Sequence, residues 1–191
     1  VLQNSSPLGR RKGARVYSEM FSLRDNPLLD GRPGSRPVDD EGVPSRVVAL
    51  IQAGQVEGFL YDLETATRVG VSPTGHGRRT TFAKPQPAWT NVVVEPGASS
   101  FEELLGVVGD GLLVEGTRGA PVGNAIGGTF AQPAAVAWRV GGGEVLGLTQ
   151  EVTVAGNAHD LLGRVAAVGH EAMWIGCRSV PTLVVEGVSV F

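Results

Sequence analysis

Short apolar runs separated by Gly, Pro and polar residues recur along most of the chain. Several are rich in Val and Ile, which favours β-strands. With 28 Gly and 12 Pro, the sequence favours turns and short strands over long helices. The pattern predicts strands at residues 46–52, 56–62, 91–95, 112–115, 129–132, 136–140, 144–148, 151–154, 173–175 and 182–190, with a less regular strand-like piece at 15–23.

Two of these strand pairs are joined by turn sequences typical of β-hairpins. Ala53-Gly54-Gln55 connects the runs at 46–52 and 56–62. The triple glycine 141–143 connects the runs on either side of it. Glycine accepts the positive φ angles that tight hairpin turns need.

Two segments carry a helical pattern. Ser99 and Ser100 precede Glu102 and Glu103 in capping-box spacing. The apolar face of this first helix is expected at Phe101, Leu104, Leu105 and Val108. Asn157 is expected to cap a second helix that ends at Gly169, with an apolar face made by Leu161, Leu162, Val165 and Val168. A short helical turn is also expected at residues 63–69.

These elements predict an α+β fold with two main short helices. Its sheet is expected to be mainly antiparallel or barrel-like. At 191 residues the chain fits one domain with a short appendage. We interpret residues 1–15, which are polar, basic and without an apolar period, as a flexible arm, and residues 16–191 as the domain.

The net charge and the cysteine content argue against some classes of function. The formal net charge is −3, whereas nucleic-acid binding requires a concentrated positive surface. The basic group Arg10, Arg11, Lys12 and Arg15 is more typical of a solvated arm, so no nucleic-acid partner is expected. The single cysteine, Cys177, excludes an intrachain disulfide, and no apolar run is long enough to span a membrane. We therefore expect a cytoplasmic protein without a membrane partner.

The loop from Ser72 to Arg79 interrupts the regular pattern and concentrates His76, Arg78 and Arg79. A polar loop of this kind between ordered elements is a candidate functional site. The alternative is a surface loop whose charges are simply solvated, and the sequence leaves both interpretations open.

The familiar catalytic motifs are missing from the sequence. His170-Glu171 begins like a zinc-binding HExxH motif, but Trp174 occupies the position of the second histidine. The other histidines, His76 and His159, stand at no metal-ligand spacing from Cys177. There is neither a G-x-S-x-G elbow nor a phosphate-binding glycine motif. No catalytic or metal-binding residue is therefore predicted.

Five segments, in order, resemble the TldD/PmbA family, once named as modulators of DNA gyrase. The resemblance covers roughly residues 15–190. Its segments are Asp39-Asp40-Glu41-Gly42-Val43-Pro44, Thr74-Gly75-His76-Gly77-Arg78-Arg79, Thr90-Asn91-Val92-Val93-Val94-Glu95-Pro96-Gly97, residues 153–162 and Cys177-Arg178-Ser179-Val180-Pro181.

The resemblance implies a bacterial peptide-processing role. In this family a zinc-bearing TldD-type subunit, with an HExxxH helix and a cysteine ligand near its C-terminus, pairs with a TldE/PmbA-type subunit that lacks the metal motif. The pair degrades unfolded peptides and trims leader peptides in an enclosed cavity. The segments at 91–97 and 153–162 look more like the TldE/PmbA branch. Cys177 occupies the family's cysteine position without its two histidine partners, so the resemblance implies no cofactor in this chain and zinc only in a TldD-type partner.

The resemblance therefore implies a C-terminal domain of a TldE/PmbA-like subunit, inactive alone, that acts with a TldD-type zinc subunit or as a homodimer. His76, Arg78, Arg79 and Asn157 are the candidate peptide-binding residues. One alternative is a self-sufficient zinc metallopeptidase domain that uses His170 and Cys177. Another is a structural dimerisation module without activity.

Overall fold

A computed structural model describes residues 7–119, 122–124 and 126–191. The secondary structure of this part of the chain is dominated by short strands, with three short helices. The strands are β1 (Leu23–Asp25), β2 (Val48–Gln52), β3 (Gln55–Val56), β4 (Gly77–Arg78), β5 (Gln86–Pro87), β6 (Val92–Val94), β7 (Gly111–Val114), β8 (Thr129–Pro133), β9 (Ala137–Gly141), β10 (Glu144–Thr149), β11 (Thr153–Asn157), β12 (Val165–Ile175), β13 (Arg178–Val185) and β14 (Ser189–Val190). The helices are α1 (Leu63–Val69), α2 (Phe101–Val108) and α3 (Ala158–Leu162).

The largest sheet has six strands in the order β12-β13-β6-β1-β2-β3. All of its pairs are antiparallel except β13 with β6, which run parallel. Two three-stranded sheets, β10-β9-β7 and β14-β11-β8, and the two-stranded pair β4-β5 complete the described sheets. Each has free edge strands, so these sheets are open. The predicted α+β class with antiparallel sheets is confirmed, and the barrel-like alternative is not the arrangement found.

The main core combines residues of the six-stranded sheet with residues of the segment before β1. Its buried members come from residues far apart in the sequence, namely Tyr17, Phe21, Leu50, Ile51 and Val94. A smaller cluster places Leu104 of α2 against Ala167 and Val184 of the β12–β13 pair. Because apolar burial is the main driving force for folding, these contacts fix α2 on the sheet.

Helix α2 forms where the sequence predicted it. Ser100 Oγ accepts a hydrogen bond from the Glu103 backbone N–H at 3.2 Å, and Glu103 Oε2 accepts one from the Ser100 N–H at 2.7 Å. This reciprocal arrangement satisfies N–H groups that the first turn of a helix otherwise leaves unpaired. Helix α1 carries an equivalent box between Asp62 and Thr65, so the predicted helical turn at 63–69 is confirmed.

Replacing Ser100 with alanine is expected to lower the free energy of unfolding by about 1 kcal/mol, because the cap is lost while the apolar face of α2 stays intact. Thermal denaturation of the variant measures the effect. Ser72→Ala, an exposed serine outside any helix, is the control. Equal melting temperatures for the two variants would contradict a stabilising role for the cap.

The second predicted helix is much shorter than expected. Asn157 caps α3 as predicted, but α3 ends at Leu162 and Gly163 follows as its C-terminal cap. Val165 and Val168, assigned to the helix by their spacing, lie instead in strand β12 and pair with Val185 and Leu183 of β13. The prediction of a helix extending to Gly169 was wrong because pairing with β13 overrides the helical spacing.

Two strand predictions were also too long. The hairpin turn at Ala53-Gly54 is confirmed, with positive φ angles at both residues. Its second strand, however, is only Gln55–Val56 rather than 56–62. Residues 15–22 contribute Tyr17 and Phe21 to the core, but the strand itself begins at Leu23.

The proposed arm at 1–15 falls partly on residues 1–6, which lie outside the described residues. Further along, the Gly13 N–H donates to the Val56 carbonyl at 2.7 Å, and Arg15 forms an isolated bridge with Gln55. These contacts place the end of the segment against β3. The boundary at residue 16 stays a prediction. In the described part of the chain, no helix has the length and apolar character needed to cross a membrane.

Candidate functional site

One end of the six-stranded sheet collects most of the residues that the sequence singled out. We call it the Val92 end, because β1 ends and β6 and β13 begin beside Val92. Asp25 and Arg178 both pair with Val92 in the strand register. The Val92 N–H also donates to the Cys177 carbonyl oxygen at 2.9 Å. Strand pairing therefore brings Asp25 and Cys177 to the two sides of β6.

A fully buried His–Asp pair lies at this end. His76 and Asp25 both have 0% exposure. His76 Nε2 lies 3.0 Å from Asp25 Oδ1, and His76 Nδ1 lies 2.9 Å from the Thr74 carbonyl oxygen. Nδ1 also lies 3.0 Å from the Thr74 hydroxyl, so it can donate to the carbonyl oxygen or accept from the hydroxyl, depending on the tautomer. Both ring nitrogens therefore have hydrogen-bonding partners inside the protein.

The loop that carries His76 is held by hydrogen bonds at Thr74 and at the His76 backbone. Thr74 Oγ1 accepts from the Tyr61 N–H at 2.8 Å and donates to the Tyr61 carbonyl at 3.0 Å. Burial raises the pKa of the Tyr61 hydroxyl. On the other side, the Ala88 N–H donates to the His76 carbonyl at 2.9 Å. His76 thus joins a surface loop to the sheet.

Asp25 also binds the start of β6. Its Oδ2 accepts from the Thr90 N–H at 2.8 Å, and its Oδ1 accepts from the Thr90 hydroxyl. The neighbouring Asn91, also 0% exposed, donates to the Asn26 carbonyl and the Ser35 hydroxyl, both at 2.9 Å. Sequence reasoning missed Asp25, Thr90 and Asn91 as site residues. Their signal was available only in Thr90-Asn91, which belongs to a quoted family segment.

Arg78 and Arg79 lie at the start of a small hairpin that follows the buried His76. The hairpin pairs β4 with β5, with Gly77 opposite Pro87 and Arg78 opposite Gln86. Its base is held by two carboxylates: Asp39 Oδ2 accepts from the Gly77 N–H at 2.8 Å, and Asp40 Oδ2 accepts from the Arg79 N–H at 2.7 Å. Both arginine side chains are exposed. The structure therefore separates a buried His76 from two accessible arginines.

Asn157, the fourth candidate, lies in β11 of a different sheet. Its Oδ1 accepts from the His159 N–H at 2.9 Å, and its Nδ2 donates to the Gly127 carbonyl at 2.8 Å. The side chain is half-buried and serves as the cap of α3. Peptide binding by Asn157 stays a prediction, as it does for the other three candidates.

Cys177 belongs to no group of three or more potential metal ligands within the described residues. Cys177 is a free, half-buried thiol in the turn between β12 and β13. His76 uses both ring nitrogens for protein contacts. His159 Nδ1 lies 2.7 Å from the Tyr17 hydroxyl, and His170 Nδ1 lies 3.0 Å from the Ser99 carbonyl. Within residues 7–119, 122–124 and 126–191, no group of three or more His, Cys, Asp or Glu side chains is placed to hold a metal ion.

His170-Glu171, the half-motif of a zinc peptidase, lies in strand β12 rather than on a helix. A strand rises about 3.3 Å per residue, so residues i and i+4 lie roughly 13 Å apart and cannot bind one metal ion.

Comparison with known proteins gives a consistent assignment. The sequence profile of the PmbA/TldA metallopeptidase C-terminal domain matches residues 1–191. The chain belongs to the PmbA/TldD family. The resemblance drawn from the five sequence segments is therefore confirmed. A Thermotoga maritima protein, named as a candidate modulator of a DNA gyrase, has a crystal structure that superposes with a TM-score of 0.90 at 32% identity, covering 100% of this chain and 43% of that one.

Two further relatives are also similar over most of this chain. TldE from Thermococcus kodakarensis superposes with a TM-score of 0.86 at 32% identity, over 99% of this chain and 43% of its own. Metalloprotease MJ0996 from Methanocaldococcus jannaschii is 34% identical over 168 residues, which are 88% of this chain and 37% of that protein. This PmbA/TldD chain thus spans little more than a third of the length of such curated relatives.

Sequence identity alone does not separate the two branches of the PmbA/TldD family. In Haemophilus influenzae, the protein named a metalloprotease TldD homolog and the one named a metalloprotease PmbA homolog are both 29% identical to this chain. Membership is shown at the level of the family, whose members are metallopeptidase-related.

Proposed function

We propose that this chain is the C-terminal domain of a TldE/PmbA-type subunit that binds no zinc itself. In this proposal the subunit joins a zinc-bearing TldD-type partner and helps to form the cavity in which an extended, unfolded or leader peptide is cleaved. The observation that carries the proposal is the match to TldE over 99% of this chain. A cytoplasmic location and a homodimeric alternative remain part of the same proposal.

The side-chain chemistry supports a non-metal role. Zinc in a peptidase needs nitrogen, oxygen or sulfur donors with free lone pairs. His76 is enclosed and fully hydrogen bonded, and Nδ1 of both His159 and His170 contacts a protein oxygen. Within the described residues, Cys177 belongs to no group of three or more His, Cys, Asp or Glu side chains placed to hold a metal ion. No step of peptide hydrolysis is assigned to this chain.

The role left to this chain is to hold the peptide. Extended peptides bind proteins by adding to sheet edges through main-chain hydrogen bonds, and the described sheets have open edges. Arg78 and Arg79 are exposed cations that suit carboxylates of a peptide. In this proposal His76 is a positioning residue, since its side chain has no exposed surface.

The test is to purify the full-length protein with and without a TldD-type partner and to measure cleavage of an unfolded peptide. We expect cleavage only when both subunits are present, because the zinc comes from one and part of the cavity from the other. Size-exclusion chromatography should show the two subunits in one complex. The absence of both a complex and any stimulation would contradict the proposal.

A self-sufficient zinc metallopeptidase is the second candidate, favoured by the metalloprotease name of MJ0996. Metal analysis separates it from the first candidate. We expect the purified full-length protein to hold no stoichiometric zinc, and Cys177→Ser to leave its metal content unchanged. Stoichiometric zinc that is lost in Cys177→Ser would establish the second candidate instead.

A further inference from the structure

The β4–β5 hairpin projects an aromatic residue into solvent. We call residues 77–89 the finger. Phe82 at its tip is 101% exposed and Trp89 at its base is 55% exposed. Single exposed apolar residues are common on protein surfaces. Here, however, two large aromatic side chains occur on one small hairpin beside a group of cations. Exposed apolar surface rimmed by polar residues often marks a binding site.

The charge of the finger has a single sign. It carries Arg78, Arg79 and Lys84, and no Asp or Glu occurs from residue 77 to residue 94. None of the three cations takes part in an ion pair within the described residues. The nearby Asp39 and Asp40 bind backbone N–H groups at the base of the finger, and Asp40 also lies 3.8 Å from Arg36. The Glu41 carboxylate lies beside Gly77 and accepts from the Leu63 N–H at 2.8 Å. The finger therefore presents three exposed cations that are free to pair with carboxylates of another molecule.

Contacts around the buried His76–Asp25 pair hold the base of the finger in place. The buried His76–Asp25 pair, the Ala88 hydrogen bond to His76 and the two aspartates fix both of its strands. The Ala83 N–H donates to the Thr80 carbonyl at 3.2 Å and closes the tip. A binding element that is ordered beforehand loses less conformational entropy when a ligand arrives. These buried polar groups thus hold the finger in a fixed position at the surface.

We propose that the finger binds an acidic segment of the peptide substrate. Phe82 packs against an apolar side chain of that segment, and Arg78, Arg79 and Lys84 face its carboxylates. The inference rests on the proposed function for the presence of a peptide, and adds the class of peptide and the residues that select it. Phe and Arg are both enriched at protein interfaces, and Arg is among the residues that most often dominate the binding energy.

Fluorescence anisotropy with labelled peptides tests the proposal on the full-length protein without its partner. One peptide contains Glu beside Leu and Phe, and a second has every Glu replaced by Lys. We expect the acidic peptide to bind about tenfold more tightly, since several partly solvated charge pairs each contribute modestly. The difference should shrink as salt is added, because exposed charges are screened. Equal binding of both peptides would overturn the proposal.

Variants then assign the effect to the finger. Phe82→Ala is expected to weaken binding of the acidic peptide about tenfold, as for an aromatic anchor. Arg78→Gln with Arg79→Gln is expected to remove most of the preference for Glu over Lys. The matched controls are Phe191→Ala, which removes another exposed phenylalanine, and Arg10→Gln with Arg11→Gln, which removes two exposed cations. Controls that weaken binding as much as the finger variants would refute the assignment.

Two further outcomes separate this inference from the proposed function. If Phe82→Ala weakens association with a TldD-type partner but leaves peptide binding unchanged, the finger is a subunit contact and the inference is wrong. If the subunit binds acidic peptides through the finger but no TldD-type partner supports cleavage, the inference holds and the proposed function fails. Phe82 is fully exposed, so its replacement should leave the melting temperature unchanged.

Discussion

Replacing His76 with alanine is expected to lower the free energy of unfolding by roughly 3–5 kcal/mol, because the cavity and the buried carboxylate that loses a hydrogen-bonding partner both destabilise the fold. The change leaves the Asp25 carboxylate at 0% exposure with only the Thr90 N–H and hydroxyl as donors. It also opens a cavity where the imidazole was. The melting temperature should fall by several degrees, and the amides of Ala88 and Thr90 should lose protection from hydrogen exchange.

His170→Ala provides the control for this measurement. His170 is exposed and its Nδ1 contacts only the Ser99 carbonyl, so its loss should change stability by no more than about 0.5 kcal/mol. Unchanged hydrogen-exchange protection of Ala88 and Thr90 in His76→Ala would show that the finger is held independently of the His–Asp pair. Asp25→Asn should resemble His76→Ala, because one of the two carboxylate oxygens that accept hydrogen bonds becomes an NH2 group that can only donate.

Gly75→Ala is expected to destabilise the same loop by about 3 kcal/mol or more, the sum of a strained backbone and a steric clash. Gly75 has a φ of +72°, and a Cβ atom there would lie 2.4 Å from the Pro44 carbonyl oxygen. Neither the oxygen nor the attached backbone can move without disturbing Ser45, whose hydroxyl donates to the Gly75 carbonyl at 3.0 Å. Thermal denaturation of the variant measures the loss.

Gly70→Ala separates the two contributions. Gly70 has nearly the same φ, +71°, but a Cβ atom there meets nothing within 4 Å. Its replacement should therefore cost only the backbone strain, about 1–2 kcal/mol. A larger fall in melting temperature for Gly75→Ala than for Gly70→Ala identifies the close approach to Pro44. Equal falls would mean that the loop relaxes around the new methyl group.

The sequence identified some residues of the candidate site and missed others. Arg78 and Arg79 were recognised because a polar loop with two adjacent cations stands out from the strand pattern, and both are exposed. His76 was selected from the same loop, yet it is enclosed. Its environment depends on Asp25, which lies 51 positions earlier in the chain, and no local pattern encodes that contact. The Phe82 tip of the finger was missed because its exposure depends on how β4 and β5 pair.

The sequence by itself determined the elements whose cause is local. The capping box of α2, the turn at Ala53-Gly54 and the glycine-rich hairpin between β9 and β10 each depend on residues within a few positions of one another. The five ordered segments also determined the family. Only the tertiary structure decided that Val165 and Val168 lie in a strand, because apolar residues spaced three and four apart suit a helix until β13 offers hydrogen bonds to their backbone. It also decided that His76 is buried, since hydrogen bonding to Asp25 outweighs the solvation that an isolated loop histidine would keep.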